Sequence, residues 1–210
     1  MNFNRISIVF LGLFIFFLFV LFSYLVHKNI LLQFDFDTTV RLQDNLPRRV
    51  DQSFSFLSEL GNFEFLLIAL VALLVIFRKF KGGIFVLISF VAFHIFEIYG
   101  KTKVAHPPPP EFMLRIERWL EFPQFHVRNE FSYPSGHAGR TAFISIILMF
   151  LVGRSKRLKQ MHKVILWSII IAFDIAMFVS RIYLGEHWSS DVIGGALLGF
   201  ALGIIALVFL

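Results

Sequence analysis

The chain has 210 residues, 57% of them hydrophobic and only 16% charged, with 29 phenylalanines and a mean hydropathy of +0.75. No water-soluble domain could cover that much apolar surface, so the composition rules out the soluble classes and indicates an integral membrane protein. The formal net charge of +6 reads as membrane topology and not as a nucleic-acid surface, and the absence of cysteine removes disulfides and thiolate chemistry.

Ile6 to Val26 is the first apolar run long enough to cross a hydrocarbon core. It is too long for a signal-peptide core and lacks a small-residue cleavage site, so a retained span is expected. From His27 to Gly61 charged and apolar residues are interleaved. Leu32, Phe36 and Val40, then Val50, Phe54, Leu57 and Leu60, recur at helical spacing on either side of Pro47, which predicts two short amphipathic helices at the membrane surface without chemistry of their own. Phe63 to Phe77 is the second span, expected to close on Arg78, Lys79 and Lys81 and a Gly82-Gly83 turn. Ile84 to Tyr99 is the third; its His94 and Glu97, three residues apart, read as a hydrogen-bonded pair packed inside the bundle.

Prolines 107–110 force a sharp turn after the third span, and Trp119, Phe122, Phe125 and Phe131 are expected to anchor the polar segment that follows at the interface. The fourth span begins near Ser135 and ends near Val152, the fifth covers Val164 to Val179, and the sixth covers Val192 to Leu210. Asp174, two turns from Arg181 on one face, is expected to pair with it through an intermediary. Gly194, Gly195, Gly199 and Gly203 suit close packing of the last helix. The expected architecture is all-α: a single domain over residues 1–210, folded as a six-transmembrane helical bundle with short interfacial helices.

Arg5, then Arg78, Lys79 and Lys81, then Arg154, Lys156, Arg157, Lys159 and Lys163 stand in segments without Asp or Glu, which predicts cytoplasmic termini. Three chemistry-bearing clusters then share the outer side. Ser180 to Asp191 places Asp191 one turn beyond His187, able to accept a hydrogen bond from one ring nitrogen and leave the other as a lone-pair nucleophile, with Arg181 ready for an anion. Tyr133 to His137 puts a Ser135-Gly136 turn at a helix start, where unpaired N–H groups favour phosphate and His137 stands alongside. Lys101 to Pro110 adds positive charge.

This set suits metal-free phosphoryl transfer. Lys101, Arg181, the Ser135 hydroxyl and the N–H groups near Gly136 neutralise phosphate oxygens, His187 attacks phosphorus, and His137 protonates the leaving oxygen and later activates water. Two histidines and one carboxylate are too few for a closed zinc site, so neither metal nor other cofactor is expected. A serine hydrolase built on Ser135 lacks the Gly-x-Ser-x-Gly elbow.

The pattern resembles the type 2 phosphatidic acid phosphatase superfamily, membrane lipid phosphate phosphatases related to vanadium haloperoxidases. Its blocks are Lys-x6-Arg-Pro, Pro-Ser-Gly-His and Ser-Arg-x5-His-x3-Asp; the second and third match at Pro134 to His137 and at Ser180, Arg181, His187 and Asp191. The resemblance implies that His187 is the nucleophile, Asp191 its orienting partner and His137 the general acid, with Lys101, Ser135, Gly136 and Arg181 binding phosphate. In the first block Pro108 stands where the family has arginine. Arg140, one turn after His137, is the expected replacement, with His106 or Lys103 as alternatives. The implied substrates are membrane lipid phosphates or diphosphates: undecaprenyl pyrophosphate, phosphatidylglycerophosphate or phosphatidic acid, in a bacterial plasma membrane with the site on the extracytoplasmic side. Two other readings stand beside hydrolysis, a lipid phosphotransferase and a degenerate lipid-phosphate binder.

Overall fold

A computed structural model describes residues 4–115 and 131–210, so the expected interfacial anchors Trp119, Phe122 and Phe125 lie outside the described residues. The described chain is helical: α1 (Arg5–His27), α2 (Leu32–Asn45), α3 (Asp51–Leu60), α4 (Phe63–Ile76), α5 (Phe80–Lys103), α6 (Gly136–Arg154), α7 (Gln160–Tyr183) and α8 (Ser189–Ala206). Asn4 starts α1 by accepting a hydrogen bond from the Ile6 N–H at 3.2 Å.

Five helices are each long and apolar enough to cross a membrane: α1, α5, α6, α7, and α8 with its continuation to Phe209. The remaining expected span is a bent pair. With 14 residues, α4 covers about 21 Å, short of a hydrocarbon core of about 30 Å, and it joins the helical segment Arg48–Leu60 at a bend of 55°.

α6 and α8 form the centre. The apolar windows of these two helices are 67% and 56% buried, against 17% to 28% for α1, α5 and α7, whose outer faces carry exposed Phe, Leu and Ile. The two central backbones touch because glycine lines the contact. A Cβ on Gly195 would run into the Ser135 carbonyl, and one on Gly199 into the Gly139 carbonyl.

Two expectations are corrected. Gly82 and Gly83 are not a turn: the chain reverses at Phe77–Lys79, where Arg78 takes a left-handed φ of 53°, and both glycines sit in the first turns of α5. Gly82 lies against the Phe209 backbone and Gly83 against Leu74, so close packing explains them. The two helices around Pro47 do form, but their polar residues face inward. Asp35 and Thr39 of α2 and Asp51, Ser55 and Ser58 of α3 are buried, while Leu32 and Phe36 are exposed. The buried polar stripes have partners on α7 and α8, so Leu32 and Phe36 of α2 turn outward, while Phe54 of α3 is half-buried and packs edge-on against Tyr183.

Gly199→Val is expected to destabilise the protein by about 1–3 kcal/mol through overpacking and to lower its unfolding midpoint in detergent. Gly83→Ala, which meets only the flexible Leu74 side chain, should shift the midpoint far less.

Candidate active site

The three sequence clusters meet at one end of the bundle, where α5 ends, α6 begins, α7 ends and α8 begins. The start of α8 is organised by Asp191, which has no solvent exposure. Its Oδ2 accepts the Trp188 N–H at 3.0 Å and lies 3.3 Å from His187 Nδ1, so one oxygen both caps the helix and steadies the imidazole. The Asp191 carbonyl accepts the Ser135 N–H at 2.9 Å, which ties the start of α6 to the same point.

His187 is buried, and burial is the main force lowering its pKa below the usual imidazole value. The Asp191 contact pulls the other way, and Arg181 and Lys101 add to the lowering. At neutral pH the ring is therefore neutral. With Nδ1–H donated to Asp191, Nε2 carries the lone pair.

His137 Nε2 donates to Asn62 Oδ1 at 2.9 Å, and its Nδ1 faces Arg140 Nη2 at 3.5 Å. Arg181, Arg140, His187 and Lys101 all lie within electrostatic reach of this ring. Each cation has a carboxylate partner. Glu97 sits 3.2 Å from Lys101 and 3.4 Å from Arg140, while Arg181 pairs with Glu186 and with the Ser58 hydroxyl. Among the buried polar atoms left without a hydrogen-bond partner in the described residues are Ser135 Oγ, which does not cap its helix, and Arg181 Nε. Leaving buried donors unpaired is costly, and both belong to groups that suit phosphate. Among the described residues, no three His, Asp or Glu side chains are arranged to hold a metal ion.

All eight expected site residues, Lys101, Ser135, Gly136, His137, Arg140, Arg181, His187 and Asp191, thus lie at this end. A Cβ on Gly136 would meet both Glu97 and Arg140, so glycine is needed for their approach. Of the candidates for the missing guanidinium, Arg140 is beside His137, Lys103 is exposed, and His106 turns instead toward Asp191 and Asp35. His94 and Glu97 do form the expected pair, at 3.0 Å, but Glu97 is also the hub for Lys101 and Arg140. Asp174 is not linked to Arg181 as expected: it accepts from Ser145 Oγ at 2.7 Å, and Arg181 is engaged elsewhere.

Sequence reasoning missed Asp35, Ser58, Asn62 and Glu186. Asn62 carried a signal: after Gly61 and before an apolar run it reads as a helix cap, yet its side chain makes no cap and serves His137. The bend also frees the Gly61 carbonyl, which accepts from Arg140 Nε at 3.3 Å.

Residues 65–210 match the PAP2 superfamily. Phosphatidylglycerophosphatase B of Bacillus subtilis (strain 168) is 25% identical over 149 residues, covering 70% of this chain and 68% of that protein. Undecaprenyl-diphosphatase of Sulfolobus acidocaldarius is 32% identical over 145 residues, covering 69% of this chain and 63% of its own length. Among solved structures, a PAP2-type phosphatidylglycerolphosphate phosphatase from Bacillus subtilis superposes with a TM-score of 0.75 at 22% identity, covering 94% of this chain and 93% of that one. Aquifex aeolicus LpxE superposes with a TM-score of 0.61 at 25% identity, covering 83% and 94%.

If Arg140 stands in for the arginine that Pro108 replaces, Arg140→Ala should lower kcat/KM for phosphate release by about 10- to 100-fold, the effect of one charge-assisted hydrogen bond. Near-normal turnover would eliminate that role. Glu97→Gln is the control, since it frees Arg140 without removing it.

Proposed function

The chain belongs to the PAP2 superfamily and is a phosphatase, and from that premise we propose that it hydrolyses a lipid-linked phosphate or diphosphate through a phosphohistidine on His187. The observation that carries this reading is the buried His187 bonded to Asp191, within electrostatic reach of Arg181 and Lys101, with Asp191 also tied to the start of α6, where the Ser135 hydroxyl has no partner. Arg181, Lys101, Ser135, Gly136 and Arg140 hold the phosphate oxygens, and this much positive charge serves the reaction without a metal.

His187 Nε2 forms a bond to phosphorus as the bond to the leaving oxygen breaks. His137 gives that oxygen a proton, then takes one from a water whose oxygen bonds to phosphorus as the Nε2–phosphorus bond breaks, releasing phosphate and restoring His187. The substrate's negative charge faces the cations that surround His137. The new charge on the phosphorylated imidazole faces Asp191.

The substrate belongs to the undecaprenyl pyrophosphate, phosphatidylglycerophosphate or phosphatidic acid class. Support comes from the names of the two sequence relatives and from a cavity of about 250 Å³ between α4, α6 and α7. Leu66, Ile144, Leu148 and Ile170 line it. It begins one helical turn from the Asn62–His137 contact, where an aliphatic chain would trail from a bound headgroup. The single domain lies in a bacterial plasma membrane. The nine cations of the opposite end face the cytoplasm with both termini, and the site opens outside.

Phosphate release from a prenyl diphosphate, phosphatidic acid and phosphatidylglycerophosphate, each with chelator present, is the direct test. At least one should be turned over, with an acid-labile, base-stable phosphoryl label on the wild-type chain and a loss of at least about 1000-fold in His187→Ala. A strict metal requirement would refute the mechanism. Leu148→Trp should lower kcat/KM for a long-chain substrate while sparing a short-chain one; equal effects on both would remove the cavity from substrate binding.

A further inference from the structure

Three imidazoles, not two, gather around the start of α8. His106, in the proline-rich segment after α5, is only 1% exposed. Its Nδ1 lies 2.8 Å from Asp191 Oδ1 and its Nε2 3.5 Å from Asp35 Oδ2. Asp35, on the inward face of α2, accepts both the N–H and the hydroxyl of Ser190 at 2.7 Å. A polar chain therefore runs from His187 through Asp191 and His106 by hydrogen bonds, reaches Asp35 by a longer ion-pair contact, and closes on the residue next to Asp191. None of the roles assigned above uses His106 or Asp35.

We propose that His106 and Asp35 are positioning residues of the phosphoryl-transfer site: a positively charged His106, gripped by Asp35, locks the Asp191 carboxylate that presents His187 to phosphorus. This rests on the reading of His187 as nucleophile.

The geometry carries it. A histidine with a carboxylate at each nitrogen donates from both and is a cation. Burial on its own would strip the proton, but the hydrogen bonds to Asp191 and Asp35, and their charges, outweigh burial and hold the pKa up at about 9. Asp191 Oδ1 is then committed to His106, and Oδ2 to Trp188 N–H and His187. The carboxylate cannot rotate without breaking charge-assisted bonds, so the His187 ring keeps its tautomer and direction.

The charge matters as well as the bond. His187 is faced by Asp191 from α8, Arg181 from α7, Lys101 from α5 and His137 from α6; His106 is faced by Asp35 from α2 and Asp191 from α8. Without the His106 cation, Asp191 would act on His187 undiminished and make it bind a proton more tightly. Its lone pair would then be lost at higher pH.

The test uses the full-length protein in detergent, with phosphate release from dioctanoyl phosphatidic acid, a short-chain lipid phosphate, followed against pH. His106→Ala should lower kcat by about 10- to 100-fold with little change in KM, and move the acid limb of kcat/KM to higher pH by about one unit. His106→Asn keeps a donor toward Asp191 but no charge, so it should recover part of kcat and still shift the limb. Asp35→Asn removes one of the carboxylates that keep His106 charged, so its deficit should grow as pH rises. Variants with native unfolding midpoints, native kcat and an unmoved acid limb overturn the proposal. So does a loss of kcat that follows a lowered midpoint with the limb unmoved, since that marks a purely structural histidine. Should His106→Ala fail to fold, the limb position in His106→Asn decides alone. A fully active His187→Ala overturns the nucleophile assignment, and this proposal with it.

Discussion

The backbones of α6 and α8 lie against each other through Gly139, Gly195 and Gly199, and the rest of the site depends on that contact. It brings two helix N-termini to one point, with the Ser135 N–H bonded to the Asp191 carbonyl. Both helices direct their unpaired N–H groups and the positive ends of their dipoles into the same small volume. Side chains of ordinary size between these helices would part the termini and draw His137 away from His187. Asp191, at the third position of α8, supplies the negative charge that such a meeting requires.

Burying so much charge in an apolar bundle is tolerable only because it is compensated locally. Glu97 serves His94, Lys101 and Arg140; Glu186 and Ser58 serve Arg181; Asp35 and Asp191 enclose His106. α2 and α3 contribute by turning their polar faces inward. Tyr183 of α7 donates to Asp51 of α3, and Ser190 of α8 donates to Asp35 of α2. These short helices are therefore part of the machinery that holds the ends of α7 and α8, and not a surface fringe.

Much of this was legible in the sequence. Apolar runs mark the long helices because length and hydropathy are local properties, and His187 with Asp191 could be paired because four residues is one helical turn. The hydroxyl partner of Arg181 and the amide partner of His137 could not be read, since Ser58 and Asn62 are distant in the chain and common in type. Amphipathic spacing in α2 and α3 was visible, but its direction was not: in a membrane the apolar face can turn outward, and only the tertiary position of Asp35 decides. Gly82-Gly83 misled because glycine serves both turns and close helix contacts, and here the neighbouring Phe209 backbone selects the second use.

The bend between α3 and α4 breaks the straight run of helix beside the site. α4 covers about two thirds of a hydrocarbon layer of about 30 Å, and the segment Arg48–Leu60 leaves it at 55°. At the joint, the Gly61 carbonyl and the Asn62 side chain hold Arg140 and His137. A bilayer thicker or thinner than the long helices would load this joint before any unbroken helix, so hydrophobic mismatch would reach those two side chains first.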